Sequence, residues 1–145
     1  MTELEAGRAR AYPGGLALIA AVLAGLLITN QVVHAIGRAL GGAFTYPQNG
    51  TTVRVDPIAV TVMSLGPLIV GLALVAALAL RWPAVIRLAR IAAPVLAVAT
   101  IAVMTIPAGF DTTSAVCLAV MHLTTIPAAL LALNALPRGR RTRPS

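Results

Sequence analysis

Four apolar runs, interrupted only by charge, proline or glycine, take up most of the 145-residue chain. Crossing ~30 Å of hydrocarbon takes ~20 apolar residues in a helix, because only a helix or a closed barrel satisfies its own backbone polar groups there. The runs cover about 16–40, 57–80, 84–106 and 112–134, leaving a loop at 41–56 and tails at 1–15 and 135–145. The expected fold is a single all-α membrane domain, a four-transmembrane-helix bundle. Composition agrees: 59% of residues are hydrophobic and 10% charged, against roughly half and a quarter for soluble domains.

All eleven basic residues are arginine, and their placement separates two sources of a +7 net charge. Arg8 and Arg10 precede the first span, Arg81, Arg87 and Arg90 lie between the second and third, and Arg138, Arg140, Arg141 and Arg143 follow the fourth. Only Arg38 and Arg54 fall on the other side. Such asymmetry is a topology signal, not a nucleic-acid footprint, and it predicts both termini in the cytoplasm and location in the cell membrane. The aromatics sit near span ends, as interfacial anchors would: Tyr12 and Trp82 on the inner side, Phe44, Tyr46 and Phe110 on the outer. A cleaved signal peptide over the first span is disfavoured, because Glu3 and Glu5 dilute the positive region and "TNQVVHAIG" offers no small-residue cleavage site. The single cysteine, Cys117, can form no internal disulfide.

The 41–56 loop reads "GGAFTYPQNGTTVRVD", two short β-prone runs around Asn49-Gly50, and predicts an extracellular β-hairpin. Asp111 is placed to cap the fourth span.

Polar groups inside a bilayer are costly and face neighbouring helices or cavities, so they are the candidate functional residues. In the first span Asn30, His34 and Arg38 advance by about 40° each and share a stripe. Ala17, Ala21 and Gly25 lie on roughly the opposite face, at a spacing suited to close helix contact. In the fourth span Asp111, Ser114, His122 and Thr125 share another stripe. Taking depth at ~1.5 Å per residue, His122 is near mid-span, Asn30 within ~3 Å of its level, and His34 about 9 Å away. A haem bridged by both histidines is therefore disfavoured, and no cofactor or metal is expected. The expectation is an interhelical hydrogen bond from Asn30 to His122, with Ser114 and Thr125 beside it. His122 is alternatively a protonation site. A second, outer cluster comprises His34, Arg38, Arg54, Asp56 and Asp111, either paired ions or the lining of a vestibule. Pro67, Pro94 and Pro127 remove helix donors from the carbonyls of Met63, Arg90 and Leu123.

No nucleotide-binding, zinc-protease or serine-hydrolase motif is present, and the chain has no lysine for a Schiff base. Two readings lead: a non-enzymatic protein packing with itself or a membrane partner within the lipid bilayer, then a small transporter or channel component using His122 and the outer cluster; a membrane enzyme comes third, because these residues do not assemble a nucleophile, base and orienter.

The four-span layout, the polar end of span one, "PLIVG" in span two and "DTTSAVCLAVMHL" in span four resemble a family of small actinobacterial integral membrane proteins of unknown function. The resemblance implies that Asn30, Gly71, Asp111 and His122 are family features. It also implies a high-GC source, with which exclusive use of arginine is consistent. It implies no activity.

Overall fold

The computed structural model describes residues 3–136, with side chains from residue 14. The side chains of Arg8, Arg10 and Tyr12, and residues Arg138, Arg140, Arg141 and Arg143, lie outside the described set. Helix α1 runs Glu3–Ala39, β1 Thr45–Gln48, β2 Thr51–Arg54, α2 Pro57–Ala79, α3 Ala84–Thr100 and α4 Thr112–Ala135. A π-helical turn, Ile101–Thr105, continues α3. The four helices are long and apolar enough to cross a membrane over Gly14–Ala39, Pro57–Ala79, Ala84–Thr105 and Thr112–Ala135.

Local chemistry sets the ends. Asp56 caps α2, its carboxylate accepting the Ala59 N–H at 2.7 Å, with Pro57 in the first helical turn. Asp111 caps α4 through the Ser114 N–H at 2.9 Å. A carboxylate at a helix N-terminus satisfies an orphan donor and meets the positive end of the dipole. Gly41, at φ 88°, ends α1. Widening the third helix into a π turn lets the Ile106 N–H reach the Ile101 carbonyl at 3.0 Å, one residue before Pro107, which has no N–H to continue the ladder.

Strands β1 and β2 pair antiparallel, Thr45 opposite Arg54 and Gln48 opposite Thr51. Asn49 and Gly50 have φ of 49° and 77°, the two left-handed residues that a type I′ turn requires. The hairpin lies against the α3–α4 connection, where the Tyr46 and Phe110 rings meet at 5.0 Å between centroids.

Helix α4 touches all three other helices, and α1 packs mainly on α4 and α2. In its most apolar stretch α4 is 33% buried, against 11% or less for the others, which makes it the central element. Two small cores flank it. Leu72 of α2 meets Ala132, Leu133 and Leu136 at one end, and Phe44, Val60 and Met121 cluster at the hairpin end. Large apolar side chains such as Ile28, Val70 and Val103 face outward, as lipid contact demands. With lipid outside as apolar as the interior, close fit and polar contacts hold the helices together rather than water exclusion. The close fit is visible where α1 meets α4. A Cβ on Gly37 would lie 2.7 Å from both the Cys117 Sγ and the Phe44 ring, and one on Gly15 would lie 2.9 Å from the Ala135 carbonyl.

Candidate functional site

At the hairpin end, Phe44 is a plug. It is fully buried, its ring sits 4.5 Å from the His34 ring, and its backbone is held at φ 53°. A bulky residue in this left-handed region is strained by ~1–3 kcal/mol, so its surroundings must over-determine it. They do. Its N–H donates to Ser114 Oγ at 2.8 Å, and its carbonyl accepts from the Val55 N–H at 2.8 Å. The Ser114 hydroxyl in turn donates to Asp111 Oδ2 at 2.6 Å, and the same oxygen takes the Ala43 N–H at 3.0 Å. The Ser114 hydroxyl is the main cause that holds the Asp111 carboxyl below its ordinary pKa. The Ser114 and Ala43 N–H groups add to it, and burial works in the opposite direction.

Of the other members of the expected outer cluster, His34, Arg38 and Asp56 also serve the backbone rather than one another. His34 is buried with its Nε2 3.1 Å from the Val55 carbonyl, and must donate there because a carbonyl only accepts. Arg38 donates to the carbonyls of Gly42 and Ala43 at 3.3 and 3.0 Å. Asp56 caps α2, and Arg54 is exposed on β2. Apart from Arg54, the cluster is a set of backbone fasteners.

Deeper in the helices, Asn30 is 1% exposed and ties three helices together. Its Nδ2 donates to Ser64 Oγ of α2 at 2.8 Å, and its Oδ1 accepts from the Thr124 hydroxyl of α4 at 2.7 Å. Gln31 reinforces α1–α2 through Thr61 and the Pro57 carbonyl. The expected bond from Asn30 to His122 is therefore replaced by one to Thr124. Depth arithmetic brought Asn30 and His122 level, but two residues along α4 turn the side chain by about 200°, and it is the Thr124 face that meets α1. Of the expected companions, Ser114 belongs to the hairpin-end cluster, while Thr125 lies with His122.

His122 faces away from α1, into a cavity of about 350 Å³ between α2, α3 and α4. Its Nδ1 lies 2.8 Å from the Leu118 carbonyl. That carbonyl can only accept, so Nδ1 is the donor here and Nε2 is the ring nitrogen left over for the cavity. Thr125 and Thr100 also line the cavity, and each gives its hydroxyl proton to its own helix, at Met121 and Leu96. Among the described residues, no three histidine, cysteine or acidic side chains converge as a metal cage.

The sequence reading missed Phe44, Ser64 and Thr124. Phe44 stood as an interfacial anchor, and burial overturns that. The signal was present in "GGAF", where Gly42 allows the close approach of a large ring: a Cβ there would crowd both the Phe44 ring and Ser114 Oγ.

Four apolar helices capable of crossing a bilayer, fastened by a hydrogen-bonded asparagine inside them, define a multi-pass membrane protein. The chain belongs to the family of unknown function DUF6069, which it matches over residues 6–141. No curated protein and no solved structure matches it.

Proposed function

We propose that this chain is a non-enzymatic protein of the cell membrane whose helices form a four-helix bundle with both termini in the cytoplasm. It works by packing with a second copy or with a membrane protein partner. The observation that carries the reading is the uncovered face of α1. Ala17, Ala21 and Gly25 have the small side chains that let helix backbones approach, yet all three are exposed, and a Cβ on Gly25 would meet nothing within 4 Å. The polar residues support the same reading, because Asn30, Ser114 and Asp111 are committed to joining helices and loops. Arginine placement supports the topology, and exclusive use of arginine supports a high-GC, actinobacterial source.

The test is disulfide trapping in native membranes with A21C in a Cys117→Ser background. A crosslinked dimer, or a defined heterologous adduct absent with an exposed cysteine at Val70, supports the proposal. Monomer alone at both positions refutes it. A reporter fused to the C-terminus checks the topology.

A second reading, a small transporter or channel component, is favoured by the cavity at His122. Its check is proton or solute flux in proteoliposomes with wild type and His122→Gln. Flux that survives the substitution counts against it.

A further inference from the structure

The cavity beside His122 has a shape and a polarity that select a ligand. Along α2 it runs from Met63 to Val75, along α3 from Ala89 to Thr100, and along α4 from His122 to Leu133. Those spans are each about 16–18 Å at the helical rise, so the cavity is a slot along the helix axes. Its volume of about 350 Å³ is within the range of small-molecule sites. Alanines of α3, Ala89, Ala93 and Ala97 among them, make the room on one wall, and Gly71 and Pro67 on the other.

The slot is chemically one-sided. One end is aliphatic, with Leu72, Val75 and Leu133. The other gathers nearly all the polar atoms, and they are mostly acceptors. His122 Nε2 is the ring nitrogen left without a partner once Nδ1–H is spent on Leu118, and in that tautomer it accepts. The oxygens of Thr100 and Thr125 have spent their protons on Leu96 and Met121. The Met63 carbonyl has no helical donor, since residue 67 is proline. Ser64, whose oxygen takes the Asn30 amide, is the lining group able to give a proton back. Unmet acceptors in hydrocarbon are costly and call for a donor. His122 lies about 2 Å from the middle of its helix by the same rise, roughly 15 Å from either edge of the hydrocarbon. A phospholipid headgroup does not fit at that depth.

From these features we infer that the slot binds a neutral, single-chain lipid alcohol. Its hydroxyl donates to His122 Nε2 and its hydrocarbon tail lies along the slot toward Leu133. A prenyl alcohol and a straight-chain alcohol share this chemistry.

The chain has only two histidines, so protein labelled with 15N-histidine in phosphatidylcholine–phosphatidylglycerol nanodiscs gives few imidazole signals, and His122→Gln identifies those of His122. Titration with farnesol is expected to move the His122 Nε2 resonance upfield, saturably. Farnesyl methyl ether, with the same chain and no donor, is expected to leave it in place. Dodecanol separates the sources: a response to both alcohols supports the site for chain alcohols in general, and a response to farnesol alone supports it for prenyl alcohols. Ala93→Leu fills the slot from α3 and leaves the Nδ1 bond to Leu118 in place, and should abolish the response while the His122 signals remain. An equal response to the ether, no response to either alcohol, or a response that survives Ala93→Leu overturns the inference. So does a shift that depends on phosphatidylglycerol content instead of alcohol.

Discussion

Replacing Ser114 by alanine isolates what the hairpin-end cluster contributes. The side chain is fully buried, and its oxygen both accepts the Phe44 N–H at 2.8 Å and donates to Asp111 at 2.6 Å. Without it the Phe44 N–H is left buried with no acceptor, which costs ~1–3 kcal/mol. Water replaces the lost bond at the exposed Asp111 carboxylate, so that half of the loss is small. A net loss of about 2 kcal/mol is expected, which is about a 30-fold rise in the opened population. Cys117 is a built-in probe. It is the sole cysteine, half-buried, and packs in the same cluster. Its maleimide labelling in nanodiscs follows the population in which that end of the molecule has opened. Ser114→Ala should label about 30-fold faster, and the lipid-facing control Val116→Ala at the wild-type rate. Labelling of Ser114→Ala within about twofold of wild type would refute the reasoning. The pH dependence supplies a second reading. A carboxyl whose folded pKa is lowered adds stability that is complete above its unfolded value of about 3.9 and disappears as pH falls through the folded value. Ser114→Ala removes the largest cause of that lowering, so the acid-dependent loss of thermal stability below about pH 4, read by unfolding in detergent, should flatten.

The two glycines of α1 should respond oppositely to alanine. Gly37→Ala places a Cβ against Cys117 and Phe44 and should cost about 1–3 kcal/mol; Gly25→Ala meets open space and should be neutral, or gain up to about 1 kcal/mol from helix propensity, as read by thermal unfolding in detergent. Asn30→Ala removes a bond to α2 and another to α4 and should cost about 1–2 kcal/mol by the same assay, with Thr124→Val additive only in part because the two share a bond. Gly50→Ala forces a Cβ into a left-handed turn at φ 77°, at about 1–2 kcal/mol, and should raise protease cleavage within residues 45–54 without altering helix content.

The elements that one-dimensional patterns encode were legible in advance. Hydropathic length gives the four crossing helices, Asn49-Gly50 gives the hairpin turn, and Asp56 and Asp111 give the caps, because each depends on residues within a few positions of one another. The partners of Asn30 were not legible. Its depth follows from counting residues, but which face of α4 it meets depends on the rotation of one helix about its axis, and that is fixed by distant contacts such as Gly37 against Cys117. Phe44 failed for a related reason: an aromatic residue near a span end is equally compatible with an interface anchor and with a plug. Only the left-handed backbone and the Ser114 acceptor, 70 positions away, distinguish them. The cavity was invisible because no single helix carries it; the alanines of α3 and the bare nitrogen of His122 acquire meaning only when side by side.

The bonds from Ser114 to Phe44 and from Thr124 to Asn30 join partners 70 and 94 positions apart. During synthesis, α1, the hairpin and α2 are therefore made before α4 exists. Until it arrives, half of the Asn30 amide and the floor of the slot lack their partners within the hydrocarbon, and the Phe44 N–H lacks its own at the hairpin end. Contacts this distant in sequence form late, and unpaired polar groups in hydrocarbon are costly while they wait. A chain truncated after α3 would carry these exposed groups as a mark of incompleteness that membrane proteases could read. Of the four described helices, the one made after the other three is thus also the one that certifies them.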